Sequence, residues 1–188
     1  MYMKSRKIIA GVDEVGRGSL IGSVYSAAVI LPANGSSLEL KDSKKLTGKS
    51  RVKIANSLIK ESVCISLGIA TKDEIDSLNI HHATLLSMRR AVYNLVIEPD
   101  LVLIDGLYKP EVQLDCECIV KGDNKVEEIS AASIIAKVAR DSEMDFLHGK
   151  FKMYNFKKNN GYGTRQHLEA IESLGKTIYH RESFIKQI

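Results

Sequence analysis

Two short apolar runs, Lys7-Ile-Ile-Ala-Gly-Val-Asp13 and Leu101-Val-Leu-Ile-Asp105, each end on a carboxylate. Runs of this length, bounded by polar or glycine positions, predict buried strands. A charged carboxylate at the end of such a strand is costly unless something positive sits with it. Two of them in one chain therefore call for a fold in which the strand ends share a counter-charge. A third acid, Asp123, lies in Lys121-Gly-Asp-Asn-Lys125, just after a short strand predicted over 118–120.

The rest of the pattern alternates between the two periods. Residues 21–31 predict a second strand, closed by the turn Pro32-Ala-Asn-Gly35. Residues 50–61 predict a helix with Val52, Ala55, Leu58 and Ile59 on one face, and 63–70 a further strand. Thr71 and Glu74 have capping-box spacing for a short helix. A longer helix over 80–96 carries Leu85, Met88, Val92 and Leu95, and Pro99 closes it. Residues 127–147 predict a long helix with Ile129, Ala132, Ala136, Ala139 and Leu147 on or near one face. The basic, aromatic stretch 149–163 reads as a loop, and Thr164 caps a last helix that ends at Gly175. Strands interleaved with helices predict an α/β fold around a central mixed five-stranded sheet. The first three strands can form an antiparallel meander, and the helical crossover before Leu101 permits parallel pairing.

Composition removes whole classes of function. With 188 residues, 44% hydrophobic and 27% charged, the chain suits one globular core. Three cysteines do not make a disulfide framework, and Cys116 and Cys118 lack the second pair that a zinc site needs. The longest apolar stretch, Leu20 to Leu31, is too short to span a bilayer, and no signal-peptide core follows Lys4, Arg6 and Lys7. A cytoplasmic protein with no membrane partner is expected. The formal charge of +4 lies entirely in residues 137–188, the remainder being balanced. Basic side chains also cluster at Lys41, Lys44, Lys45, Lys49, Arg51 and Lys53. Such patches suit a polyanion, although a solvated basic face has the same appearance.

Acids converging from separate strands offer an all-oxygen ligand set, which favours Mg²⁺ or Mn²⁺ over Zn²⁺. Two such ions about 4 Å apart can stabilise both attacking and leaving oxygens in phosphodiester hydrolysis. Each Asp taken alone could equally cap a turn. Two apolar strands terminating in the same way favour the shared site. The Gly16-Arg17-Gly18 segment that follows Asp13-Glu14 lets backbone approach a ligand, with an Arg to meet phosphate. With Gly22 it approaches a dinucleotide fingerprint. That reading fails because two acids stand directly upstream and the following residues are strand-like.

Ile9-Ala-Gly-Val-Asp-Glu-Val-Gly-Arg-Gly18 resembles the N-terminal motif of type 2 ribonucleases H, specifically bacterial ribonuclease HII. Asp42-Ser-Lys-Lys-Leu-Thr47, Leu103-Ile-Asp-Gly106, Lys121-Gly-Asp123, the segment Ile129 to Asp141, Gly161-Tyr-Gly-Thr164 and His180-Arg-Glu-Ser-Phe184 resemble further motifs of that family, in order. The resemblance implies a ribonuclease H-like fold, with residues 1–148 as catalytic domain. Residues 149–188 then form a basic loop and small helical C-terminal region packed on it as one unit. It implies cleavage of RNA in RNA/DNA hybrids and at ribonucleotides embedded in duplex DNA. Two Mg²⁺ or Mn²⁺ ions take part, leaving 5′-phosphate and 3′-hydroxyl ends.

By the same resemblance Asp13, Glu14, Asp105 and Asp123 are the metal-binding catalytic acids, with Asp13 bridging the ions. Gly16, Arg17 and Gly18 read the ribose 2′-hydroxyl, the group that distinguishes RNA from DNA, and Tyr162 stacks on the neighbouring deoxyribose. Lys44, Lys45, Lys121 and Lys137 are candidate phosphate contacts. Ser133 is either a small packing residue or a substrate contact. Arg140-Asp141 reads as a structural ion pair, and His81-His82 as surface or capping groups. The family usually has Pro where Ser19 and Ser23 stand, and Ala where Val15 stands, which brings the rigidity of this loop into question. A monomer is expected. A replication-clamp contact stays open, with no clamp-binding peptide evident after Phe184. Two rival functions also stay open: a non-catalytic hybrid-binding protein, and a junction resolvase of the same fold.

Overall fold

The computed structural model describes residues 7–38, 40 and 47–186. Five strands form one sheet: β1 (Ile9–Val15), β2 (Val24–Ile30), β3 (Cys64–Ala70), β4 (Leu101–Asp105) and β5 (Cys116–Ile119), in the order β3-β2-β1-β4-β5. β1, β2 and β3 pair antiparallel, whereas β4 lies parallel to both β1 and β5. This is the mixed five-stranded sheet that the alternating pattern predicts. Parallel pairing brings the C-terminal ends of β1, β4 and β5 to one edge, and with them Asp13, Glu14 and Asp105.

Both faces of the sheet are covered. α1 (Gly48–Glu61) and α3 (Glu127–Lys150) pack on one, burying Ala27 and Val29 against Ala131, Ile134 and Ile135. α2 (Lys72–Tyr93) covers the other, where Val12, Ala28, Val102 and Ile104 meet Met88, Ala91 and Val92. α2 bends at Asn79 (φ 70°), so the expected short and long helices share one element. The Asn79 side chain accepts from the amides of His81 and His82 and restarts the helix there. The helix ends at Tyr93 rather than 96.

Residues alternate sides along a strand. Val12 therefore faces α2, while Gly11 and Asp13 face α3. A Cβ on Gly11 would sit 2.1 Å from the Glu128 backbone carbon. Only glycine lets the first turn of α3 approach β1 this closely, and Asp13 lies two residues further on the same side.

The stretch after α3 is less of a loop than its composition suggests. A 3₁₀ turn over Lys152–Tyr154 and α4 (Phe156–Asn159) replace it, joined through left-handed Asn155 and Asn160. Phe156 and Tyr154 stack with ring centroids 5.3 Å apart and pack with Ile21, Met144 and Leu147. Their role is to pin this segment to the core. α5 (Arg165–Leu174), capped by Thr164 as its sequence predicts, and α6 (Glu182–Ile185) complete the chain. Among the described residues no helix is long and apolar enough to cross a membrane.

Candidate active site

Asp13, Glu14 and Asp105 line one cleft at the sheet edge, together with Ser133 and Lys137 of α3 and Arg51 of α1. Asp13 is almost fully enclosed, and its Oδ1 accepts from the Glu14 amide at 2.7 Å. Ser133 lines the same cleft and its hydroxyl favours the charged form of this carboxyl, so Ser133 is a polar neighbour of the acid rather than a mere packing residue. Burial pushes the Asp13 carboxyl well above the usual carboxylate range, and the charges of Glu14 and Asp105 push it further. Burial also raises Glu14. Arg17, whose Nη1 lies 3.5 Å from Glu14 Oε1, opposes that rise, and Asp105 adds to it. The cleft is thus a place where negative charge is buried beyond what its own cations offset.

Asp105 accepts from the Gly122 amide at 2.6 Å. That bond ties the 3₁₀ turn Gly122–Asn124 to the end of β4. Asp123 is buried in this turn, accepts from Asn124 Nδ2 at 2.9 Å and lines a second cavity beside Leu38, Leu40 and Ser130. The structure therefore gathers three of the four predicted acids in one cleft and places the fourth in the neighbouring one. Lys121 is exposed in left-handed conformation at the head of the turn. Lys137 reaches the cleft but is bonded to Asp141. Lys44 and Lys45 lie outside the described residues.

Among the described residues no three His, Cys, Asp or Glu side chains form a closed cage for a metal ion. An open set of hard oxygens still fits Mg²⁺ or Mn²⁺, because such ions are commonly held by one or two carboxylates with water and substrate phosphate. The structural sign of that fit is the convergence of the Asp13, Glu14 and Asp105 carboxylates on one cleft, since a cation there would relieve their repulsion.

Beside the acids, residues 16–23 form a tight loop. Gly16 has φ 95°, a conformation that suits glycine, and a Cβ there would meet Arg140 Nε at 2.8 Å. Gly18 packs beneath the Tyr162 ring, a Cβ there lying 3.4 Å from Tyr162 Cε1. The Leu20 amide donates to the Gly161 carbonyl at 2.8 Å, and Ser19 bridges to Tyr162. Gly16, Arg17, Gly18 and Tyr162 are thus brought together next to Glu14. Tyr162 is 44% exposed and available to a ligand.

Two buried arginines lie under this loop: sequence reasoning gives Arg140 the wrong partner and assigns Arg181 no role. Arg140 pairs not with Asp141 but with Glu143, at 3.2 Å, while Asp141 bonds Lys137 and pairs with Arg51. Arg140 Nη2 also donates to Ser19 Oγ at 2.9 Å and to the Ile21 carbonyl at 2.8 Å. Arg181 is buried beside it. The only sequence signal for Arg181 was its place in the His180–Phe184 motif, which carries no recognisable chemistry of its own. The serines at the proline positions are part of the same network. Ser23 donates to Glu143 through both amide and hydroxyl, so hydrogen bonds hold this loop where a ring would stiffen it.

A family model described as Ribonuclease HII matches residues 10–187. The ribonuclease H2 from Pyrococcus horikoshii OT3 superposes with a TM-score of 0.81 at 27% identity, covering 95% of each chain. The RNase HII of the PCNA:RNase HII complex from Archaeoglobus fulgidus gives 0.76 at 24% identity, over 95% of this chain and 94% of that one. Bst-RNase HIII, solved in complex with Mn²⁺, gives 0.70 at 19% identity, over 90% and 70% respectively.

Proposed function

Since the chain belongs to the ribonuclease HII family and is a metal-dependent ribonuclease H acting on RNA/DNA hybrids, we propose that it also cuts 5′ to single ribonucleotides embedded in duplex DNA. The observation that carries this reading is the adjacency of two features. The acidic cleft of Asp13, Glu14 and Asp105 lies directly beside the Gly16–Gly18 loop under Tyr162. A cleft alone suits any phosphodiesterase. A glycine-rich loop and an aromatic ring at its edge add a reader of sugar and base. Among family members we place this chain with the bacterial enzymes that its motifs resemble.

Asp13, Glu14 and Asp105 would hold the divalent ions, two in the active complex, with Asp123 in the adjoining cavity as the fourth acid. Bound there, the ions supply an activated water and offset the charge that develops on the phosphate and the leaving 3′-oxygen. The Ser133 hydroxyl favours the charged form of the Asp13 carboxyl. Lys137 and Arg51 put positive charge on the α3 side of the cleft, where a scissile phosphate would otherwise meet only acids. The Arg17 and Gly18 amides receive the ribose 2′-hydroxyl, and the Tyr162 ring receives the sugar beyond it. The 5′-phosphate and 3′-hydroxyl ends follow from cleavage of the bond to the 3′-oxygen. The Mn²⁺ held by the Bst relative supports the metal class. The PCNA held by the Archaeoglobus relative supports a replication clamp as partner.

The test is cleavage of three labelled substrates: a duplex with one ribonucleotide, a long RNA/DNA hybrid and a four-way DNA junction. Each is run with Mg²⁺, with Mn²⁺ and with neither. Metal-dependent cutting of the first two, on the 5′ side of the ribonucleotide, is expected. Cutting of the junction alone would instead identify a resolvase. Binding of hybrid without metal-dependent cutting would identify a non-catalytic protein.

A further inference from the structure

One fully buried cation has no part in the chemistry above. Arg181 is 0% exposed, and its guanidinium hydrogen-bonds only backbone carbonyls. Nε donates to Gly22 at 2.8 Å, Nη1 to Arg17 at 2.9 Å, and Nη2 to Gly16 at 2.8 Å and Ser23 at 3.1 Å. Its own amide donates to the Leu20 carbonyl at 2.8 Å. Four carbonyl contacts from the side chain and one from the backbone amide thus gather residues 16–23 around one residue. Burial, with the nearby Arg140 charge, lowers the guanidinium pKa to about 9. Burying such a group is costly unless its donors are satisfied, and here every nitrogen of the guanidinium finds a carbonyl.

That geometry has a direct consequence for the loop. A trans peptide is planar, with its C=O and N–H pointing in opposite directions. The Gly16 carbonyl and the Arg17 amide share one such plane, and the Arg17 carbonyl and the Gly18 amide share the next. Drawing both carbonyls down onto Arg181 turns both amides away from the interior. The amides of residues 19–23 are all taken, by Gly16, Gly161, Ser19 Oγ, Tyr179 and Glu143 in turn. Those of Arg17 and Gly18 have no acceptor among the described residues.

We infer that Arg181 is the positioning residue of the 2′-hydroxyl reader, aiming the Arg17 and Gly18 amides outward beside the acidic cleft. This rests on the reading that the Gly16–Gly18 loop recognises the ribose. Only Arg has a rigid planar fork with enough donors for this task, and Lys offers a single point charge.

Wild type, Arg181→Ala and Arg181→Lys are compared with Mg²⁺ on a duplex carrying one ribonucleotide. The all-DNA duplex of the same sequence serves as competitor. For Arg181→Ala, kcat/KM on the ribonucleotide should fall about tenfold or more, while the inhibition constant of the all-DNA duplex moves less than about twofold. Millimolar guanidinium should restore part of the lost kcat/KM in Arg181→Ala but not in Arg181→Lys, where the lysine fills the space. A merely structural role would lower the folded fraction and leave the selectivity between the two duplexes unchanged. If wild type binds both duplexes equally, the reading of the loop falls, and the inference with it. If wild type discriminates and folded Arg181→Ala discriminates as well, the inference alone falls. Should Arg181→Ala fail to fold, Arg181→Lys carries the same comparison. If neither folds, even with guanidinium, Arg181 is an anchor of the fold and the inference is overturned.

Discussion

Ser23 binds the Glu143 carboxylate twice, through its amide at 3.2 Å and its hydroxyl at 3.0 Å, although 120 residues separate them. Glu143 in turn pairs with Nη1 of buried Arg140 at 3.2 Å, while Arg140 Nε has no hydrogen-bond partner among the described residues. Glu143 is the acid in direct contact with Arg140, so weakening its hold on the loop leaves a buried cation less well compensated. Ser23→Ala should lower the unfolding free energy by about 1.5–3 kcal/mol, as expected for a hydrogen bond to a charged group. Urea titration measures it. A change under a few tenths of a kcal/mol would mean that the amide alone secures Glu143.

Ser23 also marks where the sequence stops being legible. Strands and site acids announce themselves locally: Val12-Asp13-Glu14 and Ile104-Asp105 are apolar runs with a charge at the end, and period two places each side chain. α3 is legible because Ile129, Ala132 and Ala136 recur at helical spacing. The stretch 149–163 fails that test. Its 3₁₀ turn and short helix bury only a few aromatic positions and turn at left-handed asparagines, so no periodicity builds up. Arg140 and Arg181 are unreadable for another reason. Nothing local distinguishes a buried Arg from a solvated one, because its partners are carbonyls well over a hundred residues away. Asp123 follows its strand as predicted, yet its carboxyl faces a neighbouring cavity, a matter of backbone path through Lys121 that spacing does not encode.

The three acids of the cleft repel one another, and Asp13 bears most of the cost. Asp13→Asn removes a buried charge while keeping shape and hydrogen-bonding capacity. Without divalent ions this variant should be more stable than wild type at neutral pH, since a group whose folded pKa is raised destabilises the fold once ionised. Mg²⁺ or Mn²⁺ should raise the wild-type melting temperature and leave that of Asp13→Asn nearly unchanged. Cleavage should be abolished in both Asp13→Asn and Asp105→Asn. Near-wild-type rates in either, with either ion, would remove that residue from the site.

His167 and His180 form a buried pair, with Nε2 atoms 3.1 Å apart. The Thr177 amide donates to His180 Nδ1 at 2.8 Å, so the His180 proton sits on Nε2 and is donated to His167. His167 then carries its own proton on Nδ1 and donates to the Tyr162 carbonyl at 2.9 Å. Both rings must be neutral for this chain to hold. Burial, with His167 beside it, lowers His180 to about 4, and burial lowers His167 as well. An unfolded histidine titrates near about 6.5. Between these values the unfolded chain binds more protons than the folded one, so stability rises with pH across the window. It should fall on acidification below about pH 6.5, by up to about 1.4 kcal/mol per pH unit per histidine, and His180 contributes no further loss below about pH 4. Urea midpoints at successive pH values between these limits measure the slope, and His180→Phe should flatten it. An unchanged slope in that variant would assign the acid sensitivity to other groups.

The same histidine chain fixes the backbone of Tyr162, whose ring covers Gly18 at the cleft edge. Its amide donates to Asn159 at 2.9 Å, and its carbonyl also accepts from Thr164 at 2.8 Å. A ring held on so rigid a base loses little freedom when a sugar or base packs on it. Stacking of this kind is worth about 1–3 kcal/mol. On the proposed reading, the register at a single embedded ribonucleotide would be set by that one contact and by the Arg17 and Gly18 amides. A long hybrid offers many equivalent registers and many backbone contacts. Tyr162→Ala should therefore reduce kcat/KM about tenfold or more on the single-ribonucleotide duplex, and only about two- to threefold on the hybrid. Tyr162→Phe should retain most of the activity on both, because the ring face makes the contact. Equal losses on the two substrates in Tyr162→Ala would mean that the ring supports the Gly16–Gly18 loop from above and does not touch the nucleic acid.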